Sequence, residues 1–325
     1  MKFRLLSLIL TFLTVSVNAQ GVSTHTISRT DGSNITYYLL HQLHTSPSDT
    51  LLLILQGSDC NSVLQIKSIF TDYKNAWPEA DVLLIEKYGI DKGVSFSSDP
   101  ERRDCPAQYI QNDSPTQRVA DIQTVLDVVR KDGKYLNLIV LGGSEGAVIA
   151  NLATTRIDDI DATISFNGGG RRFIDDVLHS IKSESENIDE IERNISGFLG
   201  FSNDIINSKP SDLEVSGHGY NWWYQMLSID QLEILKKVNT PLLVIQGERD
   251  LSVSPQKVDE MMLALVKAGK DNIEYRTYKD LDHGFMNING ESNRKLVVND
   301  IHVWLKSKLR NPNRSMQPTS DASAD

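Results

Sequence analysis

Hydrophobic positions recur at two different spacings along the chain, and the change from one to the other sketches the fold. His25 to Ser28, Ile35 to Leu40 and Leu51 to Leu55 read as strands, with Asp31-Gly32-Ser33 as the turn joining the first two, so the sheet begins antiparallel. Helical and extended patterns then alternate: Ser62 to Trp77 helix, Asp81 to Glu86 strand, Thr116 to Lys131 helix, Leu136 to Leu141 strand, Ala147 to Ala153 helix and Ala162 to Phe166 strand. Such alternation implies right-handed crossovers and a parallel sheet covered by helices on both faces. From Gly170 to about Asp230 no strand is evident and charge is dense, which predicts a helical lid inserted after the Asn167-Gly168-Gly169-Gly170 turn. Strands resume at Thr240 to Gly247 and Asn272 to Tyr278, and a helix from Asn293 to Leu309 closes the pattern. The polar stretch 311–325 has nothing to bury and is expected to be disordered.

The junctions between these elements carry the candidate chemistry. Gly142-Gly143-Ser144-Glu145-Gly146 lies between a strand and a helix, and small residues two before and two after a serine are what a tight strand-to-helix turn requires. Asp250 follows the strand ending at Gly247, and His283 follows the strand ending at Tyr278, within Leu281-Asp282-His283-Gly284-Phe285. All three fall just beyond the carboxyl ends of strands, where open α/β sheets assemble their sites.

Serine, acid, histidine in that chain order resembles the α/β-hydrolase superfamily, with greatest likeness to the dienelactone-hydrolase-like and prolyl-oligopeptidase-like branch, over most of residues 50–309. The resemblance implies an α/β-hydrolase fold with an inserted helical lid and a triad of Ser144 as nucleophile, His283 as base and Asp250 as the carboxylate that orients it. It further implies an oxyanion hole made by the backbone amides of Glu145 and Ser58. Ser58 lies in the loop Gln56-Gly57-Ser58-Asp59-Cys60; many family members begin this loop with His-Gly where this chain has Gln56-Gly57, but only backbone is required there. The implied activity is that of a serine hydrolase acting on a carboxylic ester or thioester, a carboxylesterase. A peptidase of the prolyl-oligopeptidase type is the second reading, and a non-catalytic binding protein on the same scaffold the third. Glu248 and Asp282 are rival carboxylates. His218 is a rival base, although it precedes Asp250 and follows no strand; together with Trp222 and Trp223 it reads more readily as part of a substrate pocket or as packing of the lid.

Composition narrows the remaining classes. A net charge of −10 over 325 residues argues against nucleic acid or an anionic membrane surface as partner, and no metal-ligand spacing or Gly-rich phosphate loop calls for a cofactor. Lys2 and Arg4 precede an apolar run from Leu5 to Val17 and the small-residue context Val17-Asn18-Ala19, so residues 1–19 read as an export signal and the mature chain as starting at Gln20. The run is shorter than the ~20 residues a spanning helix needs, so a periplasmic or secreted protein is expected. In an oxidising compartment the two cysteines, Cys60 and Cys105, are expected to form a disulfide rather than stay as free thiols.

Overall fold

A computed structural model of the chain describes residues 21–41, 47–99 and 102–309; the expected export signal and the 311–325 tail lie outside them. Strands β1 (Val22–Ser28) and β2 (Asn34–Leu40) form a hairpin through a turn in which the Arg29 amide donates to the Ser33 carbonyl at 2.8 Å and Gly32 takes a φ of +84°. β3 (Thr50–Leu55) follows, then α1 (Lys67–Thr71) between two short 3-10 turns, then β4 (Asp81–Ile85). The long loop after β4 contains α2 (Ala107–Asn112) and leads into α3 (Pro115–Val129), whose start is capped by the Ser114 hydroxyl. β5 (Asn137–Gly143), α4 (Glu145–Thr154) and β6 (Ala162–Phe166) complete the first alternation.

Between β6 and the next sheet strand the chain runs through α5 (Phe173–Glu184), α6 (Ile188–Asn207), α7 (Tyr220–Ser228) and α8 (Gln231–Leu235). A minimal hairpin, β7 (Glu214–Val215) with β8 (His218–Gly219), interrupts these helices; the sequence pattern gives no strand there because two residues cannot display a period. β9 (Leu242–Gly247), α9 (Pro255–Lys267), β10 (Ile273–Tyr278) and α10 (Arg294–Leu309) finish the fold.

The sheet order is β1-β2-β4-β3-β5-β6-β9-β10, antiparallel at β1-β2 and β2-β4 and parallel from there on. Period-two alternation sends Leu51, Leu53 and Leu55 of β3 into a core shared with α3 and α4. Leu52 and Ile54 go to the opposite core, shared with Ile69, Tyr73, Trp77 and α10. β5, which ends at the proposed nucleophile, lies between β3 and β6 in the middle of the sheet and is buried almost throughout.

One predicted element is different in kind. The continuous helix expected over Ser62 to Trp77 is instead 3-10 (Val63–Gln65), α1 and 3-10 (Tyr73–Ala76), broken by extended backbone at Ile66 and by an irregular residue at Asp72 (φ −126°, ψ −66°). Val63 and Ile69 are both buried, yet six residues of continuous helix would rotate one from the other by about 240°. The break at Ile66 lets both face the core.

Candidate active site

Ser144 joins β5 to α4 with φ +55° and ψ −128°, a left-handed conformation that a non-glycine residue adopts only when its surroundings hold it there. They do so through backbone: the Ser144 amide donates to the Phe166 carbonyl of β6 at 3.0 Å, and the Ser144 carbonyl accepts from Ala147 at 2.9 Å. The flanking glycines are required by contact. A Cβ on Gly142 would strike the Gly146 carbonyl, and one on Gly146 would strike the Leu55 carbonyl of β3.

Asp250 sits just past β9 with its side chain fully buried. Its Oδ1 accepts the amides of Ser252 and Val253 at 2.9 and 3.0 Å, while Oδ2 accepts Gln246 Nε2 at 3.1 Å and lies 2.8 Å from His283 Nδ1. His283 stands after β10 with its side chain about one-third exposed, and it shares a cavity of about 190 Å³ with Ser144, Gly57, Ile69, Tyr73 and Phe166. Ser144, Asp250 and His283 are thus gathered at one end of the sheet. The rival acids are placed elsewhere: Glu248 points to solvent, and Asp282 Oδ1 accepts the amides of Gly284 and Met286, shaping the histidine's loop.

Three supporting residues have no signature in the sequence. Asn167, at φ +48°, donates Nδ2 to the His283 carbonyl at 2.8 Å and accepts the Gly247 amide on Oδ1 at 2.9 Å, which ties β6, β9 and the histidine loop together. His179 of α5 donates Nε2–H to the Asp250 carbonyl at 2.9 Å. Lys87, its side chain fully buried, donates Nζ to the Gly57 carbonyl at 2.6 Å and the Asp59 carbonyl at 2.7 Å.

Residues 205–312 match the Prolyl oligopeptidase family. No protein with a curated description matches the chain in sequence. Solved structures match it through shape. Est1E from Butyrivibrio proteoclasticus superposes with a TM-score of 0.59 at 16% identity, over 89% of this chain and 99% of its own. A putative dienelactone hydrolase from Klebsiella pneumoniae gives 0.55 at 15%, over 89% and 98%. The Pyrococcus horikoshii acylaminoacyl peptidase gives 0.59 at 13%, covering 91% of this chain but 43% of that longer one. The chain is an α/β-hydrolase by fold.

Within that α/β-hydrolase frame, His218, Trp222 and Trp223 do not join Ser144. They line a second cleft of about 270 Å³ that also touches Ser58, Asp59 and the bridged cysteines. The His218 ring stacks on Trp222 at 3.7 Å and its Nδ1 meets the Tyr109 hydroxyl at 3.2 Å. Burial pushes this imidazole down to about 3, which leaves it a weak base in addition to being misplaced for Ser144. Cys60 and Cys105 are disulfide-bonded, with Cα atoms 5.8 Å apart. The bridge fastens the loop after β3 to the segment before α2. Asn61 reinforces it, donating Nδ2 to the Ser97 carbonyl and accepting the Ser97 amide and Arg102 Nη1 on Oδ1.

Proposed function

We propose that the protein is an exported serine hydrolase that cleaves carboxylic esters or thioesters through an acyl-Ser144 intermediate. The observation that carries this reading is the His283–Asp250 pair at 2.8 Å opening onto the same cavity as a serine held at a strained strand-to-helix turn. In the proposed reaction His283 takes the Ser144 proton as Oγ attacks the substrate carbonyl, and Asp250 stabilises the imidazolium that forms. The tetrahedral oxyanion is received by the amides of Glu145 and Ser58. The imidazolium then protonates the leaving alcohol or thiol, and water attacks the acyl-serine by the same route, releasing the acid and the free enzyme. Ile69, Tyr73 and Phe166 give the cavity an apolar wall, which suits a short acyl chain or an aromatic ring. The helices α5 to α8 are read as the inserted lid; none of their residues lines this cavity, and His179 of α5 meets the site through the Asp250 carbonyl.

Peptide hydrolysis is the second reading, favoured by the match of residues 205–312 to the Prolyl oligopeptidase family. Export is supported by the basic and apolar pattern of residues 1–19 and by the disulfide. No helix among the described residues is long and apolar enough to cross a membrane.

Fluorophosphonate labelling with peptide mapping tests the proposal. A single adduct on Ser144 is expected, and folded protein that takes no label overturns it. Ser144→Ala should abolish turnover of short-chain p-nitrophenyl esters while leaving thermal unfolding close to that of the parent; retained turnover removes Ser144 from the mechanism. Parallel assays on aryl esters and on aminoacyl amides then separate esterase from peptidase.

A further inference from the structure

The buried ammonium of Lys87 has no part in the chemistry just described, yet it sits directly behind the loop proposed to receive the oxyanion. A charge withdrawn from water is costly unless it is well paired, so packing alone would be better served by an apolar side chain. The Lys87 ammonium contacts the carbonyls of Gly57 at 2.6 Å and Asp59 at 2.7 Å and Glu145 Oε2 at 3.8 Å, and it lies 5.5 Å from the centre of the Tyr109 ring. The intervening Ser58 carbonyl is turned the same way, toward the Tyr109 hydroxyl at 3.4 Å.

Peptide groups are planar and trans, so each N–H points opposite the C=O of the preceding residue. With the Gly57 carbonyl facing Lys87, the Ser58 N–H faces away from the buried ammonium. Gly57 itself lies against the nucleophile: a Cβ built on it would come 3.4 Å from Ser144 Cβ and 3.8 Å from Ser144 Oγ. Consecutive carbonyls turned inward leave the loop's amides on the other side, a concave arrangement suited to an anion. The same cluster grips the other proposed donor. Glu145 opens α4, where first-turn amides lack intrahelical partners, and its carboxylate is held by Arg118 Nη1 at 2.8 Å while Arg118 Nη2 donates to the Gln56 carbonyl at 3.0 Å. Burial pushes the Glu145 carboxyl up, but the charges of Lys87 and Arg118 outweigh it and hold it below the usual glutamate value.

We infer that Lys87 is a positioning residue for the oxyanion hole: by holding the Gly57 and Asp59 carbonyls and pairing with Glu145, it aims the Ser58 amide toward Ser144 and locks the two donors to each other. This rests on the serine-hydrolase reading above. The neutral, similarly long Lys87→Met variant should lose about 10²–10³ in kcat, the cost of one oxyanion donor, with KM changed less than about threefold. Its affinity for a trifluoromethyl ketone, which binds as a tetrahedral anion, should fall in the same proportion, while affinity for the matching methyl ketone should not. A support role confined to folding would lower melting temperature and active fraction without altering that ketone ratio. An unchanged ratio in folded Lys87→Met therefore overturns the inference. If the variant does not fold, the wild-type protein decides: in its phosphonyl adduct the amide proton resonances of Ser58 and Glu145 should both move downfield, and an unmoved Ser58 signal overturns the inference. Absence of any adduct on wild-type Ser144 would instead remove the hydrolase reading itself.

Discussion

At the scale of single residues, the acid assignment separates two aspartates by what they touch. Asp250 lies on the imidazole, whereas Asp282 touches only backbone amides that an asparagine oxygen can also accept. Asp250→Asn is therefore expected to cost about 10⁴ in kcat, by favouring the wrong histidine tautomer, and Asp282→Asn less than about tenfold; steady-state kinetics on one ester reads both. Equal losses would give the two the same role. The gathering of Ser144, Asp250 and His283 at one end of the sheet was legible in the sequence because each follows a strand-like run within a few residues, and the ends of parallel strands lie side by side. Asn167, His179 and Lys87 were not legible. Each acts on a partner that only the folded topology delivers, Asn167 on a carbonyl 116 positions away and Lys87 on one 30 positions back. Their spacing carries no signal.

At the scale of elements, glycines in two helices should respond in opposite ways. At Gly146 in α4 an added methyl meets the Leu55 carbonyl, so Gly146→Ala should destabilise by about 1–3 kcal/mol. At Gly197 in α6 nothing lies within 4 Å of the added atom, and Gly197→Ala should stabilise by about 0.5–1 kcal/mol. Chemical denaturation measures both. Helix α5 is fastened to the end of the sheet that carries the candidate site by Asp176, a buried carboxyl that accepts the Ser254 amide at 2.9 Å and the Gly170 amide at 3.2 Å. Burial pushes Asp176 up to about 7, from an ordinary value of 3.8. Between those two values the folded state holds a proton that the unfolded state releases, so this group favours folding at the acid end of the window. The contribution fades as pH rises and becomes a constant penalty above about 7. Asp176→Asn keeps an acceptor and removes the titration. Its melting temperature should therefore fall less than the parent's between about pH 5 and about pH 8; an equal fall would acquit Asp176. Long, regular elements such as α3 and β6 were legible from periodicity. The break at Ile66 was not, because it serves the burial of Val63 and Ile69 together, and a local pattern does not record which faces the sheet will cover.

For the whole molecule, the disulfide is the covalent link between the β3 loop and the segment before α2, closing a loop of 45 residues. Thiol titration of the denatured, unreduced protein should find no free cysteine. Reduction should lower stability by up to about 4 kcal/mol on the chain-entropy account, and an unchanged denaturation midpoint after complete reduction would show that the loop is held without it. The strand order has a consequence in time as well as in space. Ser144 and the central strands β3 and β5 belong to the first half of the chain, whereas Asp250 and His283 arrive with β9 and β10, the last two strands to be added at that side of the sheet. A ribosome that has made 240 residues has already built the serine's turn but neither of its partners. On the proposed mechanism, a chain terminated before residue 250 holds the serine without its acid or its base and is expected to be inert toward esters.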